Sequence, residues 1–144
     1  MNHITTLENR IIEDYQKYYG INLSIELLLI EKHFEWLKMT IEGKVLSGRG
    51  VLKVVNKSYV VDVFFSPFLS GRFERIYIRD SSIKYNRRIH LYNDLSLCLY
   101  HPIVDRPNFK IIPLYKMIPW ITEWCVYYEE WKKYGIWLGK EIKH

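Results

Sequence analysis

Between residues 36 and 79 the chain is punctuated so closely by turn-forming residues that any strands there must pair with their immediate neighbours. Trp36 to Gly43 has β-type composition with partial alternation, and Ser47-Gly48-Arg49-Gly50 reads as a turn. Val51 to Val55 is a second short strand, closed by Asn56-Lys57-Ser58. Tyr59 to Phe65 is a third, stopped by Ser66-Pro67. Ser70-Gly71 leads into a fourth over Arg72 to Arg79, with Phe73, Ile76 and Ile78 as its apolar contacts. Parallel strands need long crossover connections, and these spacers are short. The region therefore predicts a four-stranded antiparallel meander.

Helical patterns flank it. Leu7, Ile11, Ile12, Tyr15 and Tyr18 or Tyr19 recur at helical spacing. Thr5 or Thr6 is placed to cap that helix with Glu8 reaching back, and Gly20 to end it. Ile25 to Ile30 is a short apolar run that periodicity alone assigns to neither helix nor strand. The clearest helix lies near the carboxy terminus. Pro119 suits its first turn and Gly135 its end, with Trp120, Trp124, Tyr127 and Trp131 on one face. Ile121, Cys125 and Tyr128 flank that face, so Cys125 reads as a packed core residue. Ile136-Trp137-Leu138-Gly139 should tuck against the same core.

Length and composition bound the rest. A chain of 144 residues, 49% hydrophobic, is read as one α+β domain over residues 1–144 with a real core. No apolar run approaches bilayer length and the amino terminus lacks a signal-peptide layout, so no membrane association is expected. Two cysteines far apart in sequence point to a reduced, cytoplasmic setting without disulfides. His3, His33 and His144 show no metal spacing, and no metal or cofactor is expected. The net charge of +5 is scattered, and the aromatic residues fall at helical core spacing; both argue against a nucleic-acid surface. Only Arg79, Lys84, Arg87 and Arg88 cluster, just before His90, where they could meet a carboxylate-ended partner.

That cluster opens a stretch without regular period: His90-Leu91-Tyr92-Asn93-Asp94-Leu95-Ser96, then Leu97-Cys98-Leu99-Tyr100-His101-Pro102. It reads as an ordered loop folded across one edge of the sheet. By residue type alone, Cys98 between two leucines is a small buried residue. As chemistry, it is a thiol with a histidine on each side in sequence, and a neighbouring imidazole or backbone N–H groups could raise its thiolate fraction. A papain-like arrangement would need a helix N-terminus at the cysteine, whereas Leu97-Cys98-Leu99 looks extended.

Helix, four-strand meander, cysteine-bearing loop and carboxy-terminal helix together resemble the ubiquitin-conjugating (E2-like) fold. His90-Leu91-Tyr92 followed by Ser96-Leu97-Cys98-Leu99-Tyr100 is similar to a shortened catalytic loop of that family. The resemblance is closer to bacterial E2-like proteins of CBASS anti-phage defence operons, in their stand-alone form. They share Leu-Cys-Leu-Tyr-x-Pro, here Leu97 to Pro102. They also share a pattern carried here by Pro119, Trp120, Glu123, Trp124, Tyr128, Glu129, Trp131, Gly135, Trp137 and Gly139.

The resemblance implies that Cys98 takes the carboxy-terminal carboxyl of a cGAS/DncV-like nucleotidyltransferase as a thioester and passes it to an amine. It requires the Cys98 sulfur to be presented to solvent. No Gly-rich phosphate loop is visible, so either the partner delivers an activated acyl group or an E1-like enzyme activates it in trans. His90 matches the family histidine, whose usual work is bracing the loop. The family's oxyanion-assisting Asn has no aligned counterpart; Tyr92 stands there, and Asn93 beside it either substitutes or merely forms a turn. His101 either polarises the incoming amine or is an exposed residue beside Pro102. Leu95 stands where relatives often have Gly. The alternative function is an inactive E2 variant that scaffolds the nucleotidyltransferase without acyl transfer.

Overall fold

The computed structural model describes residues 3–100 and 111–139. Two helices open the chain, α1 (His3–Lys17) and α2 (Tyr19–His33). The sequence predicted one helix capped at Thr5 or Thr6 and closed by Gly20. Instead α1 already runs from His3, the break falls at Tyr18, and Gly20 lies inside α2. A glycine permits a helix end without imposing one. Here the next turns are held by burial: Leu23, Glu26 and Ile30 form one inward face, while Ile21, Ile25 and Leu28 stay exposed. That 3.6-residue alternation is why the ambiguous run Ile25 to Ile30 is helical.

The meander is as read from the spacers: β1 (Leu37–Glu42), β2 (Val45–Val54), β3 (Lys57–Phe65) and β4 (Glu74–Ile78), antiparallel in the order β1-β2-β3-β4. One turn was misplaced. Ser47 to Gly50 lies within β2, and the chain reverses at Gly43-Lys44, where Gly43 has φ +61°. Gly48 and Gly50 face Met39 and Leu37 of β1. A Cβ on Gly48 would run into the Lys38 carbonyl, and one on Gly50 into the Trp36 carbonyl. These glycines mark close backbone approach in a strand pair, a role glycine takes as readily as a turn.

α2 and α3 (Leu114–Tyr134) pack on one sheet face, burying Leu37, Leu46, Val61, Val63, Phe65 and Ile76. α3 starts at Leu114, so Pro119 sits inside it rather than in its first turn. Being exposed, Pro119 sacrifices only the N–H that would reach the Tyr115 carbonyl. The helix start is supplied from elsewhere: the buried Glu26 carboxylate on α2 accepts the Tyr115 N–H at 2.9 Å. Gly135 ends α3 in the left-handed region, its N–H bonded to the Trp131 carbonyl at 2.8 Å. The inward stripe of α3 includes Ile121, Trp124, Cys125 and Tyr128. Trp137 folds back onto Trp124 and Tyr127, whereas Ile136 and Leu138, expected to tuck in, remain exposed.

Candidate active site around Cys98

The path from β4 to Cys98 is held by a succession of backbone and side-chain hydrogen bonds. Asn86 Oδ1 accepts the Arg88 N–H at 2.9 Å and starts a single 3-10 turn, Arg87–Ile89. His90 closes that turn with φ +57°. The Ile89 carbonyl accepts the Trp124 indole N–H at 2.8 Å, and the His90 ring lies 5.1 Å from that of Trp137. The carboxy-terminal helix thus grips the start of the loop through its aromatic face.

A tight reversal follows. Leu91 pairs with Leu97, the Tyr92 N–H reaches the Ser96 carbonyl at 2.9 Å, and Leu95 takes φ +71°. Left-handed backbone is what glycine adopts without cost; Leu95 holds it with a side chain in place. Asp94 ties the reversal, accepting from the Ser96 N–H at 2.9 Å and from the Tyr77 hydroxyl at 3.2 Å. The Leu97 N–H then bonds the Ile76 carbonyl at 2.8 Å, laying the loop along the free edge of β4. One residue on, the Cys98 N–H bonds the His90 carbonyl at 3.0 Å.

The sulfur is not where the resemblance required it. Cys98 retains 2% of its surface, and its thiol is directed to the Tyr100 carbonyl at 3.4 Å. The expected presentation to solvent is thus overturned: the Leu97 N–H on β4 and the Cys98 N–H on the His90 carbonyl hold this stretch against the sheet edge, and the Cys98 side chain lies buried there. His90 is buried and meets the cysteine through its backbone. Asn93 is exposed within the reversal, and His101 lies outside the described residues. Of the basic cluster, Arg79 turns away to Asp62 at 2.6 Å; Lys84, Arg87 and Arg88 stay exposed.

Around the sulfur stands a polar group that sequence reading did not assemble. Arg72 donates to Ser96 Oγ at 2.7 Å, to the Glu74 carbonyl at 2.8 Å and to its carboxylate at 3.3 Å. Its guanidinium carbon lies over the Tyr92 ring, 3.5 Å from the centroid. The buried Glu74 also accepts the Tyr100 hydroxyl at 2.9 Å. Burying an ion pair is costly unless its hydrogen bonds are satisfied, as here. A cavity of about 290 Å³ between α1 and the β3–β4 connection reaches Glu74 and Tyr100 but is not lined by Cys98. The only local hint was Arg72 and Glu74 two apart on a strand, with nothing to tie them to Cys98.

The two cysteines differ in electrostatics. Burial alone pushes the Cys125 thiol up to about 12. Burial also raises Cys98, but the Tyr92 hydroxyl, the Tyr100 backbone and the Arg72 charge pull it back, while Glu74 adds to the rise. Burial, then the neighbouring sulfur, holds the Tyr92 hydroxyl far above its ordinary range, so it remains a donor. Glu74 itself is raised by burial against the pull of Arg72 and Tyr100.

Among the described residues, three α-helices and an antiparallel four-stranded sheet, with Cys98 following β4 and preceding α3, make an α+β architecture compatible with an E2-like fold. The family model described as Type II CBASS E2 protein matches residues 26–144, and the chain belongs to that family. Neither a curated protein nor a solved structure matches it. No described helix is long and apolar enough to cross a membrane.

Proposed function

We propose that this CBASS E2 protein is a cysteine acyltransferase, forming a thioester at Cys98 with the carboxy-terminal carboxyl of a cGAS/DncV-like nucleotidyltransferase and passing it to an amine. What supports the reading is the family match over residues 26–144 together with a cysteine fixed at the motif position, its N–H on the His90 carbonyl at 3.0 Å and its thiol on the Tyr100 carbonyl at 3.4 Å with the Arg72 and Glu74 charges nearby, while Cys125 is packed in the hydrophobic core. Perturbed, charge-flanked groups of this kind concentrate at functional sites.

The thiolate attacks the activated carbonyl, a C–S bond forms, and the activating group leaves through a tetrahedral oxyanion. The amine then attacks the thioester carbon and the thiolate departs. Activation comes with the partner or from an E1-like enzyme in trans. In this reading His90 braces the loop, Asn93 serves the reversal, and His101 is assigned to the incoming amine. Lys84, Arg87 and Arg88 receive the carboxylate-ended tail. Docking of the partner must also bring the sulfur into reach.

The 2% exposure of Cys98 favours a second reading, a scaffold that binds the synthase without chemistry. Co-expression with the neighbouring synthase separates the two. Acyl transfer yields a covalent adduct cleaved by hydroxylamine or reductant, converted by Cys98→Ser into a slower, reductant-stable ester and retained by Cys125→Ser. Paired Arg87→Glu and Arg88→Glu changes reduce adduct yield. A complex that co-purifies with no adduct in any variant establishes the scaffold and removes the enzyme.

A further inference from the structure

The cavity between α1 and the β3–β4 connection plays no part in the acyl-transfer reading, since Cys98 does not line it. Its walls are mostly apolar, with Ile11 and Ile12 from α1, Phe73, Ile112, and Met117 from α3. At about 290 Å³ it stands at the small end of ligand pockets, which run from roughly 300 to 1,000 Å³, so it suits a guest of side-chain size. One charged residue lines it, Glu74, which keeps only 1% of its surface. Tyr100 lines it too, and its hydroxyl bonds the Glu74 carboxylate at 2.9 Å, so that bond lies at the cavity wall.

A buried carboxylate needs hydrogen bonds and positive charge close by. Glu74 accepts the Tyr100 hydroxyl and, at 3.3 Å, Arg72; these are two of the roughly four bonds its oxygens can take. The arginine is shared, because Asp94 lies 3.7 Å from the other end of the same guanidinium. Among the described residues the group therefore sets one cation against two carboxylates. Burial holds the Glu74 acid above its ordinary range in spite of Arg72, as fits a carboxylate short of positive charge. We propose that this cavity is a binding site for a primary alkylammonium group, the ammonium on Glu74 and the methylene chain along the apolar walls. An ammonium on a flexible stem brings the missing charge and three donors. Its bonds to the carboxylate are charge-assisted. An alcohol of equal length fills the same walls without the charge, and a carboxylate-ended guest is repelled. Free aliphatic amines and lysine side chains both carry the required group.

Methionine methyl groups labelled with carbon-13 read the site directly. Met117 lines the cavity and is assigned through Met117→Leu, whereas Met39, beside Gly48, does not line it. Pentylamine near neutral pH should shift the Met117 methyl saturably and leave Met39 still, with a Kd of about 1 mM, within the ceiling for so small a ligand. Pentan-1-ol should need about tenfold more. Glu74→Gln keeps the shape and removes the charge; it should weaken pentylamine about tenfold and leave pentan-1-ol within about twofold. Nα-acetyl-lysine methylamide is titrated alongside: tighter binding than pentylamine assigns the site to a protein lysine, weaker binding to a free amine. Equal responses to pentylamine and pentan-1-ol in the wild type reduce the cavity to an apolar one and overturn the proposal. A Met117 methyl unmoved at about 10 mM pentylamine overturns it as well. Both comparisons use the wild-type protein, so they decide even where Glu74→Gln does not fold.

Discussion

Glu26 offers the sharpest check on the packing, because its carboxylate is buried at the start of a helix 89 residues away in sequence. Burial lifts it from an ordinary 4.5 to about 7, and the Tyr115 and Leu114 N–H groups pull only partly against that. The sign is that of an acid whose folded affinity for protons is raised. Between pH 4.5 and 7 the folded protein keeps a proton that the unfolded chain has released, so stability falls as pH rises through that window. At roughly 1.4 kcal/mol per pH unit, the ionised carboxylate costs about 3 kcal/mol above pH 7. Glu26→Gln keeps an oxygen for the Tyr115 N–H and removes the charge. It should match the wild type near pH 4.5 and exceed it at pH 8 by up to about 3 kcal/mol, on the order of 10 °C in Tm. Thermal melts of both proteins from pH 4.5 to 8 make the measurement. Parallel pH profiles, or a variant less stable at pH 8, would refute the assignment of burial as the dominant effect.

Two further outcomes concern stability. Gly48→Ala and Gly50→Ala should each cost more than about 2 kcal/mol in urea unfolding, because the new Cβ meets β1 backbone rather than a yielding side chain. Gly20→Ala, exposed in α2 with nothing within 4 Å, should stabilise by up to about 1 kcal/mol. On the outer sheet face, Asp62 is held at about 2 by Arg49, with Arg79 adding to the pull. That stability is present above the ordinary value of 3.8 and lost as pH falls through 2. Because both arginines are largely exposed, Asp62→Asn should cost only about 1 kcal/mol at pH 7 and nothing at pH 2, read by denaturant titration at the two pH values.

Features governed by local chemistry were legible in the chain itself. Short spacers dictated an antiparallel meander, Gly135 marked the end of α3, and the Leu97 to Pro102 motif with the tryptophan pattern placed the protein among the E2-like proteins. Local signals misled where a residue type serves two purposes. Gly20 and Gly48 read as breaks because glycine permits breaks, yet one is carried through by helix burial and the other accommodates a neighbouring strand. Pro119 read as a first turn because no nearby residue announces Glu26 as the true cap.

The candidate site divides along the same line. Cys98 and His90 were visible as a motif, since their spacing is short and their residue types uncommon. Their surroundings were not. Arg72 arrives from the β3–β4 connection, Glu74 from β4 and Tyr92 from the reversal, and the thiol is buried where the loop lies against the edge of β4. A sequence determines which groups with reactive atoms exist and which elements its neighbouring residues can form. Which of those groups share a few ångströms, and how far water is excluded from them, depends on contacts between distant segments. Those contacts here decide the ionisation of Cys98 and of Glu26.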